Sequence, residues 1–474
     1  MEKKHFRKQT AKELAATFQH ATGLCPPGKD NTYTCDEKTP IRPVAEYEPM
    51  GGVLVAYIGT EAPDAKHKQL PPSGKRIFGV PNELIVRMQQ LGSKDGKIRA
   101  EKEPVHIFVL CDDEDEKPNI VASLQKTADK EHLHFKPELV HLIPWDPDTY
   151  WTRDYCPWWV RYTEPDDEGE AVYAISKHIY TSLGGGSVGL IEGAEEVSPR
   201  QGSGIFRCND DYGAVKISDF LNAPIRKHNN AAWGTNSDEK LPQIKTHRWF
   251  FSGLLNVGGN YMVTSKGVIA SSYLVATQNE LPTDKDPEKP NETDLKDRME
   301  YIMEQANRFL GANTYHVFTD PTGTYIGHID CWGKFLADDK VIIGESPDEK
   351  INEGLNRIAA YFKVKGFNVT RVFAPNIYVA NESGEPATTA PYTNSLILNH
   401  HVYVPICGDK KCDKDAVDAY QTALGRDYVI EGIIGKPETP WLGTDALHCR
   451  TNAIPRTIVD RWLSSQKSVA FGKK

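Results

Sequence analysis

Short apolar runs and amphipathic stretches alternate along the chain in a pattern that repeats. Val53 to Tyr57 and Val105 to Cys111 are continuous apolar runs of strand length, and Pro81 opens a helical period that runs to Leu91, with Gly92 behind it. The acidic run Asp112 to Glu116 reads as a solvated loop. Leu139 to Ile143, Trp158 to Arg161 and Val172 to Ser176 are further strands. A glycine-rich interruption (Gly184-Gly-Gly-Ser, Gly202-Ser-Gly) leads to a short helix near Val215 to Leu221 and a polar insertion through Lys240. Next come a strand at Val268 to Ser271 and a helix from Asp294 to Leu310. Leu295, Met299, Ile302, Met303, Ala306, Phe309 and Leu310 form one stripe of that helix, and Gly311 caps it. Strands at Val341 to Gly344 and Val369 to Phe373 flank a helix over Pro347 to Phe362. Strands at Val402 to Ile406 and Tyr428 to Ile434 flank another over Ala416 to Leu424. Five strand-rich units, each with a helix, predict an α/β fold of five blades around an axis. Residues 1–42 are polar, with one helical stretch near Ala11 to Phe18, and predict an N-terminal extension to a body spanning residues 43–474.

Charge and cysteine usage narrow the partners. Acidic residues outnumber basic ones by 65 to 56 with no basic stripe, which argues against a nucleic-acid partner and suits a cationic ligand. No apolar run approaches the ~18 to 20 residues of a membrane-spanning helix. The charged N-terminus, Met-Glu-Lys-Lys-His-Phe-Arg-Lys, lacks the apolar core of a signal peptide. Of the nine cysteines, Cys25 with Cys35 and Cys407 with Cys412 close short polar loops of the kind bridged in oxidising compartments. Asn291-Glu-Thr, Asn368-Val-Thr and Asn381-Glu-Ser are glycosylation triplets. These features favour a secreted protein whose leader has been removed, with a cytosolic protein as the alternative. An odd cysteine count leaves at least one thiol free.

The candidate nucleophile is Cys449, placed after the turn-rich stretch that begins at Thr439. A free thiol titrates near ~8.5, so it attacks efficiently only with a base, a cation or a cationic substrate beside it. His328 and Asp330 are separated by one residue and, on a strand, would point to the same face, pairing a general acid/base with an anion. Asp154, in Trp-Thr-Arg-Asp-Tyr, adds a second carboxylate, unless it only pairs with Arg153 at the surface. Two carboxylates suit the fixed fork of a guanidinium, and a thiol with an imidazole suits covalent displacement at its central carbon. Other readings of the same residues are a Cys-His-Asn amidohydrolase using Asn394, a peptide-binding propeller with Cys449 in its core, and a metal site from His328, Asp330 and His448. No EF-hand or zinc-ligand spacing occurs, and no cofactor is expected.

Trp-Thr-Arg-Asp, Gly-Gly-Asn-Tyr-Met, His-Ile-Asp-Cys-Trp-Gly-Lys-Phe-Leu, Tyr-Thr-Asn-Ser-Leu-Ile-Leu-Asn and Thr-Pro-Trp-Leu-Gly-Thr-Asp-Ala-Leu-His-Cys-Arg-Thr occur in this order between about Pro43 and Pro455. Together they resemble the bacterial-type peptidylarginine deiminases, of the guanidino-group-modifying superfamily that also contains agmatine deiminase. The resemblance implies the pentein fold, a five-bladed α/β propeller. It implies that Asp154 and Asp330 hold a guanidinium, that His328 is the general acid/base and Cys449 the nucleophile, and that Asn394 completes the site. Trp151, Tyr325, Ile326 and Thr444 would line the pocket. The implied reaction converts arginine in peptides or proteins to citrulline through a thiouronium, without calcium. Agmatine or free arginine is the alternative substrate. Where relatives carry two arginines for a substrate carboxylate, this chain keeps Arg207 and has Ile205, which implies that internal arginines are admitted. Cys156 replaces a glycine of the relatives, which opens a pairing with Cys208.

Overall fold

The computed structural model describes residues 32–34, 39–59, 76–90, 93–94, 97–98, 104–165, 169–180, 208–234, 243–279, 292–322, 327–375, 391–436, 439, 441 and 445–471. Its strands form five mixed sheets of three to five strands, besides a small hairpin at residues 93–98.

The five sheets share one grammar, an antiparallel pair followed by a helix and a parallel strand. The fourth is the plainest. Gly333–Ala337 pairs antiparallel with Lys340–Glu345, the helix Glu349–Val364 crosses over, and Asn368–Phe373 returns parallel. The fifth repeats it with Leu396–Leu398, His401–Ile406, the helix Lys410–Leu424 and Val429–Ile434. The third uses Met262–Val263, Val268–Ser272, the helix Glu292–Leu310 and Thr314–Phe318, and Thr32–Thr34 adds an outer antiparallel strand. The second uses Trp158–Tyr162, Tyr173–Ile179, the helix Cys208–Gly234 and Arg248–Leu255, edged by Ile41–Pro43. The first sheet draws its antiparallel pair from distant parts of the sequence. Asn452–Pro455 lies beside Met50–Gly59, which then pairs parallel with His106–Cys111, itself parallel to Val140–Pro144.

Burial on both faces of the middle strands explains why they read as apolar runs rather than alternating ones. His106–Cys111 is buried throughout, and Val341, Ile342 and Ile343 are fully covered. Gly311 ends its helix at φ 69°, where a Cβ would lie 2.2 Å from the Ile41 carbonyl oxygen, so only glycine closes that turn.

Several elements differ from expectation. The helix predicted over Val215 to Leu221 runs from Cys208 to Gly234 with Pro224 inside, and that proline had masked its continuity. Lys117–Glu131 is a helix with only Ile120, Leu124 and Ala128 buried, a stripe too thin to stand out among polar neighbours. The acidic run before it is partly helical, with Glu114–Glu116 in a 3-10 turn capped by the Asp113 side chain. Cys412 sits in the first turn of Lys410–Leu424, capped by Asp409, and not in a loop. Cys407, Cys412 and Cys156 are free thiols. Cys25, Cys35, the Cys208 side chain and the helix near Ala11 to Phe18 lie outside the described residues. Among the described residues no helix is long and apolar enough to cross a membrane.

Candidate active site

Each sheet is preceded by a tight turn that delivers chain to its first strand, and the candidate chemistry sits in these five lead-in turns. They are the single helical turn Thr152–Tyr155, the 3-10 turns Gly258–Asn260 and Ile329–Cys331, the bend at Thr393 and Asn394, and residues 445–450 ahead of Asn452. Adjacent turns touch. Gly259 N–H donates to Asp154 Oδ1 (3.0 Å), Asn394 Nδ2 to Asp330 Oδ2 (3.1 Å), Cys449 N–H to Asn394 Oδ1 (3.1 Å) and Arg153 N–H to the Cys449 carbonyl (3.1 Å).

Asn394 organises the nucleophile. Its Oδ1 accepts from the backbone N–H groups of Ala446 and Cys449, both at 3.1 Å, and this fixes which end of the amide is which. The Nδ2 group therefore donates, to Asp330 Oδ2 at 3.1 Å and toward Cys449 Sγ at 3.1 Å. Cys449 Sγ lies 3.4 Å from the same Asp330 oxygen, within reach of its S–H.

The imidazole and the second carboxylate meet over Gly259. His328 Nδ1 is 4.0 Å from Asp154 Oδ1. A Cβ on Gly259 would lie 2.4 Å from His328 Nδ1, 3.0 Å from Asp154 Oδ1 and 3.2 Å from Asp330 Oδ2, so all three groups border one small space that this glycine keeps open. His328 and Asp330 are not on a strand, as the alternation argument supposed. His328 is extended (φ −81°, ψ 140°) and leads into the 3-10 turn holding Asp330, and this turn, not strand periodicity, brings both to one place. Arg153 and Asp154 are both buried and do not form a surface pair; Arg153 turns to Glu46, 3.2 Å away.

Burial dominates the electrostatics. It pushes the Cys449 thiol well above its ordinary value, and the nearby carboxylates of Asp330, Asp445 and Asp154 push the same way. Burial also raises Asp330, but the hydrogen bond and charge of His448, with His328 and the Cys449 contact, more than offset it and hold that carboxyl below its usual range. Asp330 is thus held as a carboxylate and Cys449 as a thiol, and a cation seated between them would favour the thiolate while keeping the carboxylate ionised.

Trp151 is half-buried, and its Nε1–H donates to Asp445 Oδ2 at 3.0 Å. Asp445 also holds Arg450, at 2.7 Å from Nη2, while the Arg450 guanidinium stacks 5.1 Å over Tyr150 and 5.5 Å over Trp441. Tyr325, Ile326, Thr444 and Arg207 lie outside the described residues. The sequence reading missed Gly259 and Glu46, and it considered His448 only as a metal ligand. The double glycine in Gly-Gly-Asn-Tyr-Met was the available signal for the first. His448 turns both ring nitrogens to carboxylates, Nδ1 to Asp330 at 2.7 Å and Nε2 to Glu46. Among the described residues no group of three or more His, Cys, Asp or Glu could hold a metal ion.

Solved structures share this architecture. The agmatine deiminase of Enterococcus faecalis matches at a TM-score of 0.54 and 17 % identity, covering 89 % of this chain and 99 % of its own. The C. jejuni agmatine deiminase matches at 0.51 and 12 %, covering 90 % and 98 %. At such identities the likeness concerns the fold. The sequence evidence is separate. The model of the Porphyromonas-type peptidyl-arginine deiminases matches residues 218–455, which include four of the five lead-in turns, with Asp330, Asn394 and Cys449 among them. On that match the chain belongs to the Porphyromonas-type peptidyl-arginine deiminase family, hydrolases that act on amidine C–N bonds and modify guanidino groups.

Proposed function

We propose that this chain is a peptidyl-arginine deiminase that converts arginine within peptides or proteins to citrulline, releasing ammonia. The observation that carries the reading is the meeting of a thiol, an imidazole and two carboxylates. Cys449 Sγ stands 3.4 Å from Asp330 Oδ2, and His328 and Asp154 border the same space above Gly259. A planar cation held between Asp154 and Asp330 presents its central carbon to the sulfur and supplies the positive charge that the buried thiol lacks.

In this reading Cys449 gives its proton to His328, and the thiolate adds to the guanidinium carbon. His328 returns the proton to one amino group, the C–N bond breaks, and ammonia leaves a thiouronium on Cys449. Water then loses a proton to His328 and adds to the same carbon, and the C–S bond breaks to give the ureido product and free Cys449. Asn394 donates toward Sγ throughout and keeps sulfur and Asp330 in register. No metal takes part, so a calcium chelator should leave the rate unchanged. We further propose that the five sheets close as the five-bladed propeller of the pentein fold, supported by the contacts that pass from one lead-in turn to the next.

The family match supports a peptide substrate, and the resemblance to agmatine deiminase structures supports agmatine as the second reading. Ureido-product formation from a capped internal-arginine peptide, a C-terminal-arginine peptide, agmatine and free arginine separates them. The capped peptide should give the highest kcat/KM. Preference for agmatine would overturn the peptidyl assignment, and inactivity toward all four would overturn the deiminase reading.

A further inference from the structure

Behind Asp330 lies a buried chain of charges that the reaction scheme does not use. His448 Nδ1 is 2.7 Å from Asp330 Oδ2, and its Nε2 contacts Glu46 Oε1. Glu46 is in turn held by Lys334 Nζ at 2.7 Å and by Arg153 Nη1 at 3.2 Å. Arg153 also donates from Nε to the His448 carbonyl at 3.3 Å, so the far end of the chain loops back to its middle. His448 and Lys334 are each 3 % exposed and the Glu46 side chain 23 %, so water reaches this chain only at its Glu46 link. Burial opposes ionisation of Glu46, yet Arg153, His448 and Lys334 hold it well below its usual value, as a carboxylate. An imidazole between two carboxylates satisfies both only by carrying an N–H on each ring nitrogen.

We propose that Glu46 and His448 act as one positioning unit for Asp330, setting both the direction of its Oδ2 and the pH at which it can grip a cationic substrate. The idea rests on the deiminase reading above, and it assigns roles to two residues outside the thiol, imidazole and paired carboxylates. A single oxygen, Asp330 Oδ2, receives His448, Asn394 and the Cys449 thiol together. Losing the His448 contact frees the carboxylate to turn and removes the nearest cation. The other groups facing Asp330 are His328 and Cys331 on its own turn, Lys334 on the following strand, Asp154 across Gly259 and Cys449. Of these only Lys334 is a fixed cation, and it is spent on Glu46.

Binding of agmatine and of acetyl-arginine amide to the Cys449→Ser protein, measured by calorimetry between pH 4 and 8, separates positioning from packing. His448→Asn keeps a neutral donor near the Nδ1 position, whereas His448→Gln fills more of the ring's volume but places its donor toward Glu46. Positioning through Nδ1 predicts roughly 30-fold weaker binding for His448→Gln and no more than about 10-fold for His448→Asn. In both, the acidic limit of binding should move to higher pH, because the cation next to Asp330 is gone. Adding Glu46→Gln to His448→Gln should cost nothing further if the two act as a unit. Unchanged affinity and pH limit in both His448 variants would overturn the proposal, as would a milder effect from Gln than from Asn or additive Glu46 and His448 effects. If the parent Cys449→Ser protein binds neither compound, the deiminase reading falls and this inference falls with it.

Discussion

The two carboxylates that would grip the substrate are anchored differently, one by a backbone amide and one by side chains. Asp154 rides on a one-turn helix and is held by a backbone donor, the Gly259 N–H at 3.0 Å. Asp330 is held by side chains contributed from positions 64 and 118 residues away, Asn394 and His448. A backbone amide brings geometry without net charge and survives every substitution except proline, whereas an imidazole is deleted by any substitution of its residue. Asp154 is thus placed by backbone with the His328 ring 4.0 Å from its Oδ1, whereas Asp330 is placed by side chains that also hold its carboxyl below the usual range.

Four experiments break or sharpen this contrast. The largest effect is expected from Cys449→Ser, which should lower formation of the ureido product by about 10⁴-fold or more while leaving substrate binding intact. Binding at each carboxylate can then be compared without chemistry. Next, Asp330→Asn should lower kcat/KM by roughly 10³-fold and Asp154→Asn by roughly 10²-fold, since only the former also leaves His448 facing a neutral amide. Steady-state kinetics giving the reverse order would remove the contrast. Gly259→Ala comes third. Its methyl would press on His328 and both carboxylates at once, so activity should fall about 10²-fold, against a stability cost of about 1–3 kcal/mol in urea unfolding.

The smallest effect concerns pH and stability. His106 and His141, joined by a hydrogen bond between His106 Nδ1 and His141 Nε2 at 2.8 Å, are lowered by burial to about 4 and about 3. The unfolded chain protonates them near ~6.5, so between that pH and about 4 it binds more protons than the folded chain, and stability falls as pH falls through that window. Asp330 has the same sign of dependence, in a lower pH window. Its carboxyl is depressed in the fold, so its stabilising contribution is complete above the unfolded value and is lost only at lower pH, as it titrates in place. Urea unfolding at pH 7, 5 and 4 should show a loss of roughly 2 kcal/mol by pH 4, discounted for the partial exposure of His141, and His141→Gln should reduce that loss.

What could be read from sequence follows the same division. Strands buried on both faces read as apolar runs, and the helices Glu292–Leu310 and Glu349–Val364 lie within two residues of the predicted spans, whereas Lys410–Leu424 begins six residues before the predicted Ala416. Lys117–Glu131 was missed because three buried residues out of fifteen leave little period to detect, and the helix Arg456–Phe471 because Ile458, Val459 and Trp462 are the buried apolar residues among its described side chains, too short a stripe to set a period. Cys449, Asp330, His328 and Asp154 were legible as residue types that together fit a guanidinium. Their true support was not, because it runs through an amide, a glycine backbone and an ion chain joining Glu46 to residues nearly three hundred and four hundred positions away. Such contacts leave no local pattern.

The antiparallel seam between Asn452–Pro455 and Met50–Gly59 has a consequence for biosynthesis. A ribosome releases residue 50 long before residue 452, so the first sheet waits, one edge unpaired, until the last stretch emerges. Cys449 lies just ahead of that late strand, and its backbone and neighbours reach their partners only when the seam zips shut. A nascent chain can therefore pair the strands of its other four described sheets while the nucleophile of this guanidino-modifying family still lacks its partners.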